Sequence, residues 1–166
     1  PTEDWLVVVG HHPIDEVNVK DFTTLLQQRG FSIYLNGHTH LLNQYTIDGA
    51  GAYVTTGAGA MVDTVDQAHP ITLAKLEGRD VTPAMRKAHR FAVNSSDTNE
   101  YSDHTYQKVW NQTVAGFTQH TFNSDFTSLT TNFITNTGAI VNSFVVNQRG
   151  IITSQGLPGA EHEVKN

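Results

Sequence analysis

Along the first third of the chain, apolar residues come in short unbroken blocks rather than in alternation. Trp5-Leu6-Val7-Val8-Val9 is such a block, and its β-branched content predicts a strand covered on both faces, as in a parallel sheet. Gly10 ends it, and His11-His12-Pro13-Ile14 follows as a loop. Asp21 is placed to cap a helix running to about Arg29, with Phe22, Leu25, Leu26 and Arg29 at helical spacing and Gly30 as terminator. Phe31-Ser32-Ile33-Tyr34-Leu35 predicts the next strand. Strand, helix and strand within about thirty residues form a βαβ unit, whose two strands are expected to be parallel and adjacent.

The pattern then turns antiparallel. After Gly37-His38-Thr39-His40, segments 42–47 and 52–56 flank Asp48-Gly49-Ala50-Gly51 and predict a hairpin. Thr56-Gly57-Ala58-Gly59-Ala60 is a glycine-rich bend, where small residues let the backbone make a close approach. Residues 71–76 predict a further strand. The pattern is weakest over 79–112, rich in Asn, Ser, Asp and His, with one short helix expected over Tyr106–Trp110. Strand patterning returns at 117–122, 126–134 and 140–146, with a turn at Asn136-Thr137-Gly138, which predicts an antiparallel meander. The fold class expected is α/β (α+β), a βαβ unit followed by antiparallel strands. One partial domain spans 1–166: the histidine-bearing part at 1–63, an irregular insertion at 64–113, the meander at 114–148 and a tail at 149–166.

Composition narrows the function classes. With 166 residues the chain holds one domain with a real core, and its 38% hydrophobic and 16% charged residues leave polarity to Thr, Ser, Asn and Gln. That suits a β-rich, secreted-type protein. The formal net charge of −6 is the opposite of a nucleic-acid or anionic-membrane footprint. No run approaches the ~18 apolar residues of a membrane span. With no cysteine, disulfides and thiolate metal sites are excluded. Sequons at Asn94-Ser95-Ser96 and Asn111-Gln112-Thr113 mark Asn94 and Asn111 as candidate glycosylation sites. A chain that opens beside a core strand is expected to be missing its beginning.

The candidate chemistry lies in the histidines, of which there are nine. His11 follows the first predicted strand; His38 and His40 follow the second. Ligands of parallel sheets bind outside the carboxyl ends of the strands, so two neighbouring strands would bring these imidazoles to one place. In an extended His-x-His the rings point in different directions, so His38 and His40 need not share one ion and could hold different members of a pair ~3.5–4 Å apart. Metal binding is the reading for His11, His38 and His40. His69, His89, His104, His120 and His162 lack that placement and read as solvated or hydrogen-bonded histidines.

Gly10-His11-His12-Pro13 followed by Gly37-His38-Thr39-His40 resembles the last two sequence blocks of the calcineurin-like metallophosphoesterases. Tyr53-Val54-Thr55-Thr56-Gly57-Ala58-Gly59, with Met61 and Asp63 after it, is similar to the segment that follows in purple (tartrate-resistant) acid phosphatases. Gly116-Phe117 and the closing strands resemble that family's C-terminal meander. The resemblance spans 5–63 and, more loosely, 114–148. It implies the C-terminal half of a β-sandwich flanked by helices, with a dinuclear centre at the sheet edge. By motif position, His11 and His38 resemble ligands of a divalent ion and His40 a ligand of a ferric one, giving two metal ions, Fe with Fe, Zn or Mn. The implied reaction is hydrolysis of a phosphate monoester by a metal-bound hydroxide, in a secreted or endolysosomal/vacuolar enzyme. His12 is the catalytic candidate, contacting phosphate or helping to protonate the leaving group.

The chain departs from that pattern in two ways. The family's further ligands come from earlier blocks, and neither Gly-Asp-x-x-Tyr nor Gly-Asn-His occurs here. The chain alone is therefore expected to be inactive, its partner being the N-terminal half of the same enzyme as a separate chain. The family also tends to carry another histidine shortly after its Gly-His block. Here Glu16-Val17-Asn18-Val19-Lys20-Asp21 has none, leaving Lys20 or Asp15 as alternatives. Two other readings stand: a non-catalytic secreted structural or binding protein that keeps the fold, and a phosphodiesterase or nucleotide hydrolase on the same metal core.

Overall fold

Two parallel strands lead the chain, as the apolar blocks require. A computed structural model of the protein describes residues 4–12, 22–60, 62 and 104–157. Strand β1 (Val7–Val9), helix α1 (Phe22–Arg29) and strand β2 (Ile33–Asn36) make the βαβ unit, with Val7 paired to Ile33 and Val9 to Leu35 in parallel register. Gly30 ends the helix as expected: its φ is 80°, and its N–H donates to Leu26 O at 2.9 Å. The helix buries Thr23 and Leu26 and leaves Leu25, expected on the packed face, in solvent.

Strands β3 (Leu42–Ile47) and β4 (Ala50–Thr56) form the expected hairpin. Asp48 and Gly49 turn it with φ of 53° and 73°, the paired left-handed conformation that an Asp-Gly turn favours. Strand β4 adds to β2 in parallel and β5 (Tyr106–Gln112) adds to β3 antiparallel, giving a five-stranded sheet in the order β1-β2-β4-β3-β5. Strands β6 (Gly116–Phe122), β7 (Ser128–Thr135), β8 (Ile140–Asn147) and β9 (Ile152–Gln155) form a second, wholly antiparallel sheet. The architecture is mixed α+β, made mainly of strands.

The sheets meet across one apolar cluster. Ile33, Leu42, Ala52 and Val54 from the first sheet pack with Leu129, Phe133, Phe144 and Val146 from the second. An amide network crosses the same interface, where Gln44 Nε2 donates to Gln155 Oε1 at 2.7 Å and Asn142 Nδ2 donates to Gln44 Oε1 at 2.9 Å. The opposite face of the first sheet carries Tyr34, Tyr45, Tyr53 and Tyr106 and is closed by Leu26 of α1 with Phe31. Helix, sheet and sheet thus stack in three layers.

Five expectations are corrected. Residues 106–110 form part of β5 rather than a short helix, since Tyr, Val and Trp suit an edge strand docked on β3. The irregular stretch therefore ends before β5, which belongs to the sheet. Within 149–166, residues 152–155 are strand rather than tail, because the Asn147–Gly150 turn folds them back on β8 and Ile152 packs on the core. The strand expected over 126–134 begins at Ser128: Phe126 is left-handed (φ 58°), and Asn123 Oδ1 accepts from the N–H groups of Thr127 and Ser128 in a tight turn. Lastly, the described residues cover β1 on one face only: it is the edge of its sheet, and Val7 and Val9, which share the face of Ile33 and Leu35, are 42% and 75% exposed. The strand expected at 71–76 lies outside the described residues.

His120 shows what a histidine does in this sandwich. It sits half-buried on β6, its Nε2 3.0 Å from Thr118 Oγ1 and its Nδ1 2.9 Å from Thr131 Oγ1. Burial lowers its pKa from the ordinary 6.5. The unfolded chain then binds a proton at a pH where the folded chain does not, so stability is fully present above about 6.5 and falls as pH drops toward the folded-state pKa. His120→Gln keeps hydrogen-bonding capacity without the titration. Urea midpoints measured down from pH 7 should decline more steeply in the parent than in this variant, and parallel declines would refute the assignment.

Candidate functional site

The C-terminal ends of β1 and β2 lie side by side, and the loops that leave them are fastened to each other. Gly10 N donates to Leu35 O at 2.9 Å, which continues the ladder by one rung. His11 O then accepts from both Gly37 N (3.0 Å) and His38 N (2.8 Å). The next carbonyl, His12 O, accepts from the hydroxyl of buried Tyr34 at 2.9 Å. A side chain on Gly10 would collide with that hydroxyl, so any larger residue here would have to displace Tyr34 from His12 O. The two histidine-bearing loops are therefore held by backbone bonds, and the imidazoles are presented from a fixed base.

Three rings converge there. Ligating nitrogens of His11, His12 and His38 lie within 4.8 Å of one another, and all three residues are exposed. His11 Nε2 and His38 Nδ1 are 3.2 Å apart, while the His12 and His38 rings have centroids 4.0 Å apart. The expected convergence of His11 and His38 is thus present. His12, expected to act on phosphate or the leaving group, sits against the same two rings. His40 is half-buried and not part of this group, which contains no carboxylate among the described residues. Thr39, between the two loop histidines, is buried, and its Oγ1 has no hydrogen-bond partner among the described residues.

The glycine-rich bend supports the second loop. A Cβ on Gly57 would run into the carbonyl oxygens of Gly37 and Thr39. The close approach foreseen for residues 56–60 is therefore to the His38 loop itself. Asn36, at the root of that loop, is buried and saturated: its Nδ2 donates to Tyr45 Oη (3.1 Å) and Val54 O (3.0 Å), and its Oδ1 accepts from Thr55 Oγ1 (2.8 Å). Sequence reasoning did not single out Tyr34 or Asn36. A tyrosine within an apolar block and an asparagine before a glycine carry no local signal of such roles.

The other candidates fall elsewhere. Asn111 lies half-buried on β5 opposite Asn43, and Asn94 lies outside the described residues. Lys20 and Asp15 also lie outside them, as do His69, His89 and His162. His104 is hydrogen-bonded, with Nδ1 on Asp48 Oδ2 and Nε2 on Thr24 Oγ1, and ties α1 to the β3–β4 turn. A cleft lined by Gln27, Phe31, Thr46, Arg149 and Ile152 opens at the other end of the first sheet, away from the histidines. Among the described residues, no helix is long and apolar enough to cross a membrane. Among known proteins, no family model matches this sequence and no curated protein matches it.

Proposed function

We propose that this chain is the C-terminal half of a dinuclear-metal phosphoesterase of the purple acid phosphatase type. It would hydrolyse phosphate monoesters together with an N-terminal half held as a separate chain, in a secreted or endolysosomal/vacuolar setting. The observation that carries this reading is the delivery of His11 and His38 to one point from the C-terminal ends of adjacent parallel strands. The donor set fits iron and zinc: imidazole nitrogens suit both, whereas manganese would draw on oxygen ligands from the associated chain. In this reading His11 and His38 hold a divalent ion, His40 helps to hold a ferric one, and the associated chain supplies the remaining ligands. Bound ions would supply Lewis-acid polarisation of a phosphoryl oxygen and acidification of water. The chain's own residues orient and bind. Tyr34, Gly57 and the paired bonds to His11 O fix the loops, and His12 is exposed where it can contact a phosphoryl oxygen or pass a proton to the leaving oxygen.

Among the described residues β1 is the edge strand of its sheet, a position where a strand of a second chain could pair and pass beside His11, and this supports the second chain. A two-sheet, mainly β arrangement entered through a βαβ unit is also what the metallophosphoesterase sandwich requires. That the imidazole group holds no carboxylate among the described residues favours a second reading, a non-catalytic protein that keeps the fold. Native mass spectrometry of the natively purified protein, with p-nitrophenyl phosphate as probe, separates the two. A second polypeptide, two transition-metal ions and hydrolysis are expected. A chain that travels alone, metal-free and without hydrolysis overturns the enzyme reading.

A further inference from the structure

We propose that the chain by itself carries a one-ion site for a divalent transition metal, made by His11, His12 and His38, with His40 outside it. The inference shares His11 and His38 with the proposed function but changes the role of His12 from acid or phosphate contact to ligand. Two imidazole nitrogens on one tetrahedral zinc, at about 2.0–2.1 Å each, sit roughly 3.3 Å apart. His11 Nε2 and His38 Nδ1 are already 3.2 Å apart. A hydrogen bond between these two would explain that distance, but not why a third ring joins them. The ligating nitrogen of His12 is within 4.8 Å of both, and an exposed ring closes the remaining gap by turning about its side-chain torsions.

The backbone beneath the rings is prepared for such a load. His11 and His12 present consecutive carbonyls, and both are engaged, by the Gly37 and His38 N–H groups and by the Tyr34 hydroxyl. Ordering cost is therefore confined to the rings. Three neutral imidazoles on a dication leave its charge uncompensated and a coordination position open, as in three-histidine zinc sites. That position suits an anionic oxygen ligand, phosphate included. Borderline ions such as zinc, nickel and copper match the donor set better than magnesium or calcium, which prefer oxygen.

The test is Zn²⁺ titration of the untagged chain, stripped of metal, by calorimetry, with histidine-ring NMR signals followed in parallel. One ion per chain is expected, shifting the ring signals of His11, His12 and His38. His12→Ala should weaken binding by more than about tenfold, as loss of one of three ligands requires, while His120→Gln, on the second sheet and hydrogen-bonded to Thr118 and Thr131, stays within about twofold of the parent. The ring signals are read on the parent, so they decide the matter even if a variant folds poorly. If His40→Ala weakens binding and His12→Ala does not, the three-histidine site is overturned while the proposed dinuclear centre stands. If the parent binds no zinc, the one-ion site is overturned, and the dinuclear reading is then decided by the associated-chain experiment alone.

Discussion

Gly57→Ala is expected to destabilise the protein by about 1–3 kcal/mol and to weaken metal binding at the histidines by more than tenfold. The added methyl group would collide with backbone oxygens of Gly37 and Thr39, and backbone cannot swing aside as a long side chain can. One of the two strands must retreat. The bend at 57 follows β4, a central strand whose Ala52, Tyr53, Val54 and Thr55 are fully buried, so the 37–39 loop is the element that gives. Moving it breaks the bonds from Gly37 N and His38 N to His11 O and carries the His38 ring away from His11. Gly59→Ala is the matched control. A Cβ there meets nothing within 4 Å, and Gly59 does not have a positive φ, so the change should be neutral or stabilising by up to ~1 kcal/mol. Thermal unfolding and zinc titration of both variants decide the point. If the two behave alike, the bend does not support the site.

Gly57 also shows how much of the site was legible. The histidine spacing after two apolar blocks brought His11 and His38 together as expected, because strand ends and parallel pairing follow from local pattern, whereas His40, expected with them, lies outside the group. The glycine-rich bend announced a close approach without saying to what, since its target lies about twenty residues earlier in the chain and meets it only through β2–β4 pairing. His12 was expected at the site as a phosphate or leaving-group contact, but not with its ring against those of His11 and His38. Its ring position depends on a loop path set by the hydroxyl of Tyr34, a residue that reads simply as core.

The fold shows the same division. The βαβ unit, the Asp-Gly hairpin and the β7–β8 pair follow from runs, breakers and turn residues close in sequence. β5 does not, and its bulge explains why. Gln44 pairs with Trp110 but Tyr45 with Lys108, so Val109 is an extra residue that shifts the alternation. Tyr106 then joins the tyrosine cluster under α1, while Trp110 joins the core between the sheets. A strand whose apolar residues serve opposite faces at a spacing of three and four imitates a helix. β1 fails differently: its apolar run is real, but nothing among the described residues covers Val7 and Val9, and hydrophobicity alone does not place a cover.

Trp110 leads to the largest stability effect expected. Phe133→Ala should cost about 3–5 kcal/mol, the range for removing a fully buried aromatic ring. Phe133 is fully buried, with its ring 4.8 Å from Trp110 across the interface and 6.2 Å from Phe144 on β8. It is thus a contact between the edge strand of one sheet and the centre of the other. Truncation would leave a cavity that neither neighbour can fill, because Phe144 is confined by its own strand and Trp110 by a bulged edge. A chain of this size should lose on the order of 10 °C in midpoint. Phe117, one strand away but 52% exposed on the outer face, should tolerate alanine within about 0.5 kcal/mol. The two variants differ in burial rather than chemistry. Similar midpoints for both would mean that the sheets are not joined through this cluster, and with that the sandwich itself would have to be abandoned.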